Sequence, residues 1–342
     1  MTFYSCLFFS FVTLSTIFGS CGKGDSPSPA GPPTNLSLSF VVSTDNSGNV
    51  NFTATSTNAI SYEYDLGNGV FRTVANGLLT YQYPASGTYA VNVIAKSSSG
   101  QTTSTRASVT VTVARSLVWS DEFDAPGAPD PAKWGYDIGA GGWGNNELQY
   151  YTNRLDNAII SNGTLKIIAK RESFSGSPFT SARLLSRGKF SFQFGRVEVR
   201  AKLPAGVGTW PAIWMLGNNI GTVGWPACGE IDIMEHKGSE LNKIYGTVHY
   251  PGNSGGNAIG GSRTVANVTT EFRVYSVEWN PQFIKFLIDD VEFFSFANNN
   301  TVPFNQPFFL LLNVAMGGTF GGTVDPAFNS GTMEIDYVRV YN

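Results

Sequence analysis

What constrains this chain most is a period of two. Run after run alternates apolar and polar residues: "TYAVNVIA", "GTLKIIAKRE", "KFSFQFGRVEVRAKL", "FIKFLIDDVEFFSF" and "MEIDYVRVYN". Successive side chains of a strand point to opposite faces, so such runs suit sheets with one face packed and the other solvated or used. Helical periodicity is scarce, and Gly, Asn and Asp separate the runs. The chain therefore reads as all-β. From residue 35 to 114 the runs are short ("LSLSFVV", "YEYDL", "LTYQY", "ASVTVTV") and fit an immunoglobulin-like sandwich. From 117 to 342 they include "KIYGTVHY", "RVYSVEW" and "FFLLLNVA", and a two-sheet sandwich of jelly-roll type fits best.

Composition narrows the partners. Of 342 residues 42% are apolar and only 14% charged, with 22 basic against 25 acidic side chains. Neither sign dominates, so there is no electrostatic footprint for nucleic acid or an anionic membrane surface. A neutral, hydroxyl-rich ligand suits this chain better, and it reads as a monomer. Residues 1–20 form a short apolar stretch of secretion-signal type, with Gly19 and Ser20 just before Cys21. That pattern resembles the lipobox of bacterial lipoproteins. The resemblance implies cleavage before Cys21, lipid on its thiol, and anchoring to the outer membrane on its periplasmic or outer face. The alternative is an ordinary signal peptide and a secreted protein in which Cys21 has no part. Residues 21–34, with "GKGDSPSPAGPPT", read as a tether. The remaining cysteines, Cys6 and Cys228, give no ground for a structural disulfide.

One stretch carries chemistry. "GEIDIMEH" places Glu230, Asp232 and Glu235 within six positions. Ile231 and Ile233 alternate with the first two acids and should enter a core, leaving those acids on the opposite face. Strict alternation would then bury Glu235 on the core side, where an unpaired carboxylate is costly. A β-bulge around Ile233 and Met234, with Met234 as the extra residue, resets the parity and returns Glu235 to the acid face. Three carboxylates so close repel one another, so at least one should keep its proton near neutrality. A retaining glycosidase needs one ionised carboxylate as nucleophile and one protonated as general acid. Glu230 and Glu235 are the natural pair, with Asp232 between them. A solvated acidic edge or a carboxylate calcium site would use the same residues.

The surroundings favour sugar. "GTWPAIWML" sets Trp210 and Trp214 on one strand face with Ala212 between them, two indoles with space for flat rings. His249 lies in an alternating strand, while His236 follows the acids directly. "GGWGNNELQYYTN" joins Gly-rich turns to Trp143, Asn145 and Glu147.

Taken together, "GWGNNELQYYT", "TSARLLSRGKFSFQFGRVEVRAKLPAGVGTWPAIWML", "WPACGEIDIMEH", "GTVHY" and "MEIDYVRVY" resemble glycoside hydrolase family 16, and within it the bacterial laminarinases. The resemblance implies a jelly-roll catalytic domain over 117–342 and retaining endo-hydrolysis of β-1,3-glucan. It implies Glu230 as nucleophile, Asp232 as its helper and Glu235 as acid/base. It also implies substrate contacts from Asn145, Arg183, Trp210, Trp214 and His249, and no catalytic cofactor. A structural calcium ion on the convex side would be held by Asp336 and the carbonyls of Glu122 and Gly163. Phe320 stands where laminarinases commonly show tryptophan. "YEYDLGNG" and "YQYPASGTYAVNVIAKSSSG" resemble the PKD domain, which implies a spacer over 35–114. Three other readings stay open: a family-16 hydrolase of mixed-linkage β-glucan or agar-type galactan, a non-catalytic β-glucan-binding protein, and a structural surface protein.

Overall fold

The computed structural model describes residues 31–342. The expected signal segment 1–20, the expected lipid attachment at Cys21 and most of the expected tether lie outside the described residues. The described chain divides into two compact units between Ala114 and Arg115. Among the described residues no helix is long and apolar enough to cross a membrane.

The first unit packs two antiparallel sheets. One runs in the order Thr34–Val42, Asn49–Thr57, Leu78–Gln82, and the other Phe71–Val74, Ser61–Asp65, Gly87–Lys96, Thr102–Val111. Every run expected from the sequence lies in a strand, and two strands are added. Asn49–Thr57 escaped notice because it is rich in Asn and Thr, yet Val50, Phe52 and Ala54 point inward and are buried. Tyr64 and Tyr83 are buried whole, and their hydroxyls donate to the carbonyls of Gly77 (2.7 Å) and Leu66 (3.0 Å). A buried hydroxyl without such a partner would be destabilising.

The second unit is a jelly-roll sandwich of two larger sheets. The ten-stranded sheet has Ser330–Tyr341 near its middle, paired with Gly195–Lys202 on one side and with Thr164–Phe174 and Leu117–Asp121 on the other. The seven-stranded sheet runs Ile259–Thr264, Lys243–His249, Glu230–His236, Thr209–Gly217, Phe308–Met316, Arg183–Leu185, Gly135–Asp137. Between them lies one core, fed by alternate residues such as Val197, Val199 and Ala201 facing Ile213, Met215 and Ile231. Phe308–Met316 is buried at all nine positions, as its apolar text, broken only by Asn313, suits a central strand.

Two expected strands are shorter than the sequence suggested. In "KFSFQFGRVEVRAKL" the continuous strand begins only at Gly195, after a single bridge from Phe192 to Phe308, because Phe194 adopts a left-handed conformation (φ 66°). Phe190, Phe192 and Phe194 instead pack on Trp119 and Trp279. A Cβ on Gly195 would sit 2.0 Å from the Tyr341 carbonyl oxygen, so only glycine starts this strand. "FIKFLIDDVEFFSF" is a hairpin whose turn residues Asp289 and Asp290 both have positive φ, the demand of the tight turn that matches strand twist.

Candidate active site

The acids stand on the strand Glu230–His236, between Thr209–Gly217 and Lys243–His249. Asp232 pairs with Thr247 and Glu235 with Tyr245, so Ile233 and Met234 together face the single residue Gly246. Against the other neighbour, Asp232 pairs with Trp214 and Met234 with Ile213, which leaves Ile233 without a partner. The extra residue is therefore Ile233, and the assignment of that place to Met234 is corrected. Ile231, Ile233 and Met234 all enter the core, and the branched Ile233 is taken up by the added local twist of the bulge. Gly246 makes this feasible: a Cβ there would lie 2.7 Å from the Phe286 ring.

With parity reset, both neighbouring strands serve Glu235. The indole N–H of Trp210 donates to its Oε1 (3.0 Å) and the Thr247 hydroxyl to its Oε2 (3.2 Å). Trp225 donates its indole N–H to Glu230 Oε2 at 2.5 Å. His249 accepts the Gly255 backbone N–H at Nδ1 (3.1 Å), which leaves the ring proton on Nε2. That nitrogen lies 3.0 Å from Asp232 Oδ2, a charge contact without hydrogen-bond alignment. Asp232 and Glu235 are 3% and 8% exposed, and among the described residues no Lys or Arg is paired with either. Burial raises all three carboxyls. Glu230 is pushed up to about 8, by burial first and then by the charge of Asp232. Asp232 lies well above the usual range through burial and the charge of Glu235, and Glu235 is raised mainly by burial. The trio keeps protons that separate carboxylates would release, and can deliver one to a bound oxygen. Ligand atoms of Glu230, Asp232 and His249 lie within 4.8 Å of one another and could also hold a divalent ion.

A second group lies farther along the sheet. The Arg183 guanidinium sits between the rings of Trp143 (5.0 Å) and Trp214 (4.7 Å), with Asp137 3.0 Å from its Nε. Trp214 donates to Asn313 Oδ1 (2.7 Å), Asn313 to the Tyr151 hydroxyl (3.0 Å), and Tyr151 to Glu147 (3.2 Å). Asn145 also donates to Glu147 (3.2 Å). Trp210 and Trp214 are thus not a pair of free platforms: each is half-buried and spends its N–H on a named acceptor. Phe320 lies 5.2 Å from both Trp210 and Tyr245, with Lys237 over it. His236 is wholly buried on the core side, away from the acids it follows in sequence.

Sequence reasoning passed over Trp225, Thr247 and Asn313. Asn313 did leave a signal, as the one polar residue in "FFLLLNVAM". Trp225 left none, since an exposed indole five residues before an acid has no period to reveal it.

The calcium set partly fits. Asp336 lies between Ile335, which pairs with Leu165, and Val338, which pairs with Asp121. The strand ends carrying Gly163 and Glu122 therefore flank it. Asp336 already has an ion pair with Arg200, and the Glu122 side chain is held by Arg339. One carboxylate and two carbonyls suit a hard cation, with water completing the shell.

A family model for Glycosyl hydrolases family 16 matches residues 145–339. A model for Beta-glucan synthesis-associated protein SKN1/KRE6/Sbg1 matches 55–231, stopping short of Asp232 and Glu235. The chain is 48% identical over 241 residues to a beta-glucanase of Rhodothermus marinus, covering 66% of this chain and 84% of that protein. It superposes on the laminarinase structure from Rhodothermus marinus with a TM-score of 0.64 at 50% identity, over 67% of this chain and 98% of that one. SCLam, described as a non-specific endo-beta-1,3(4)-glucanase, gives 0.64 at 41% identity, over 67% and 95%. The three acids and their donors Trp210, Trp225 and Thr247 fall within the 145–339 match, and the chain belongs to glycosyl hydrolases family 16.

Proposed function

We propose that this protein is an exported endo-hydrolase of β-1,3-glucan that works by double displacement. The observation that carries the reading is the parity reset at Ile233, which sets Glu235 on one face with Glu230 and Asp232 and gives it two donors. Glu235, protonated through burial, delivers its proton to the glycosidic oxygen while Glu230 attacks the anomeric carbon. The glycosyl–Glu230 ester is then hydrolysed by water that gives its proton back to Glu235. Glu230 attacks only as the anion. A proton kept on Asp232, beside His249, removes the repulsion that adds to burial in raising Glu230 to about 8, and so favours the nucleophile's anion. Trp225 also favours the anion by donating to it.

Release of reducing ends from laminarin, lichenan and agarose, side by side, tests the substrate. Laminarin should lead, and a preference for agarose would overturn the reading. Mixed-linkage glucan is the second reading, favoured by the likeness to SCLam. Proton NMR of the first-formed product tests the stereochemistry, since an initial α-anomer excludes retention. We also propose that Asp336 with the carbonyls of Glu122 and Gly163 binds calcium for stability alone.

A further inference from the structure

Two adjoining troughs are lined by residues that neighbour the site's segments in sequence, and the hydrolytic steps make no use of them. The larger, about 670 Å³, is lined by Tyr250, Phe296, Asn299, Asn300 and Thr301 among others. A smaller one of about 290 Å³ shares Asn300 and Pro303 with it and reaches Asn219 and Ala227. Both ends are tied to the site by sequence. Tyr250 follows His249, which touches Asp232, and Ala227 is two residues from Trp225, which touches Glu230.

The wall between them is pinned in place. Asn298 donates to the Asn280 carbonyl (2.7 Å), Asn305 to that of Asn299 (2.7 Å), and Gln306 to that of Cys228 (2.7 Å). Asn299 Oδ1 accepts the backbone N–H (2.8 Å) and hydroxyl (2.6 Å) of Thr301. What remains is unspent. Among the described residues, the amide N–H groups of Asn299 and Asn300 and the Tyr250 hydroxyl donate to nothing. The Tyr250 ring is steadied by Phe296 (5.6 Å) and Phe304 (5.9 Å).

No residue lining either trough is charged. An anion or a cation would find no countercharge here, and an apolar ligand would strand the amides. Fixed amides beside an aromatic ring, in a hollow of ligand size, match a neutral polyhydroxylated ring. We propose that the troughs are an accessory carbohydrate site that holds hexose units of the same glucan outside the stretch being cut. This rests on the substrate reading above.

The test uses the full chain carrying Glu230→Gln, so that no turnover occurs, titrated calorimetrically with laminaritriose and with laminarin. Adding Asn299→Ala with Asn300→Ala should weaken laminarin binding about tenfold, the loss expected for one or two hydrogen bonds, and leave laminaritriose unchanged. In the active background the same pair should raise KM for laminarin and leave kcat alone. Should the alanine pair lower the melting temperature, Asn300→Asp takes its place, setting a charge in the neutral trough at nearly equal volume. Laminarin affinity equal to the parent's in a folded variant overturns the inference, while turnover of laminarin by the wild type leaves the substrate reading standing. Absence of any β-1,3-glucan turnover by the wild type brings down both.

Discussion

The two sheets of the second unit use the same device on acids of opposite fate. Each has a parity reset: Ile233 is the extra residue in one, and in the other Asp336 falls between Tyr337, opposite Arg200, and Ile335, opposite Ala201. On the ten-stranded sheet every outward acid nearby has a cation: Asp336 with Arg200, Glu334 with Lys202, Glu122 with Arg339, Glu198 with Arg196. Hydrogen bonds from Arg339 hold the Glu122 carboxyl below the usual range. On the seven-stranded sheet the acids face one another and two indole N–H groups, and burial lifts them. A bulge turns a carboxylate outward, but its neighbours decide whether it becomes a charge or a proton store.

The sharpest way to break this contrast is to remove one carboxylate from each face. Glu230→Gln should abolish turnover, while Glu334→Gln on the other sheet should leave kcat within about twofold and cost under about 1 kcal/mol of stability. Comparable losses from both would sink the distinction. Glu235→Gln should cost roughly 10²–10⁴-fold, with partial recovery on aryl glycosides whose leaving group needs no proton. Equal, unrescued losses from the two glutamines would void the separate roles.

Register gives the next test. One residue inserted after Met234 turns Glu235 into the core and should leave a protein without activity. Deleting Ile233 restores regular pairing with Glu235 still outward, so that variant should fold and cleave with altered linkage preference. Activity in the insertion variant would show that parity is not what places the acid.

Protons sharpen the comparison further. The charge of Asp232 is the second cause, after burial, of the elevated Glu230 pKa. Asp232→Asn should therefore move the acidic limb of kcat/KM, which ionisation of the nucleophile sets, to lower pH, read from a pH–rate profile, and an unmoved limb would exclude the coupling. Because Glu230 titrates near 8 folded and near 4.5 unfolded, its stabilising share is whole below 4.5 and lost as pH rises towards 8. Glu230→Gln should melt higher than the wild type at pH 8 and equally at pH 4.

The smallest effects concern stability away from the cleft. His236 is buried, and burial lowers its pKa to about 4. The unfolded chain takes up that proton near 6.5, so stability is full above 6.5 and falls as pH drops to 4, by at most about 3 kcal/mol. His236→Phe should flatten that slope in denaturant titrations. Calcium should raise the melting temperature by a few degrees through mass action, and Asp336→Asn should remove the rise.

The period of two by itself determined the all-β class, the two units and the inward residues, because alternation is a local property of the strand. It also exposed the acids, since E-x-D-x-x-E fits one face only with a bulge. Only the tertiary structure decided that Ile233, not Met234, is the extra residue, because the bulge is set by two neighbouring strands and by the space Gly246 leaves for Phe286. It likewise decided that Trp225 and Thr247 serve the acids and that Arg183 lies between two indoles. Those partners are far apart in sequence or stand on loops, and no periodicity links them. The protonation of the three acids belongs to the fold as well: it depends on burial and on the absence of a nearby cation, and neither is written in the spacing of three letters.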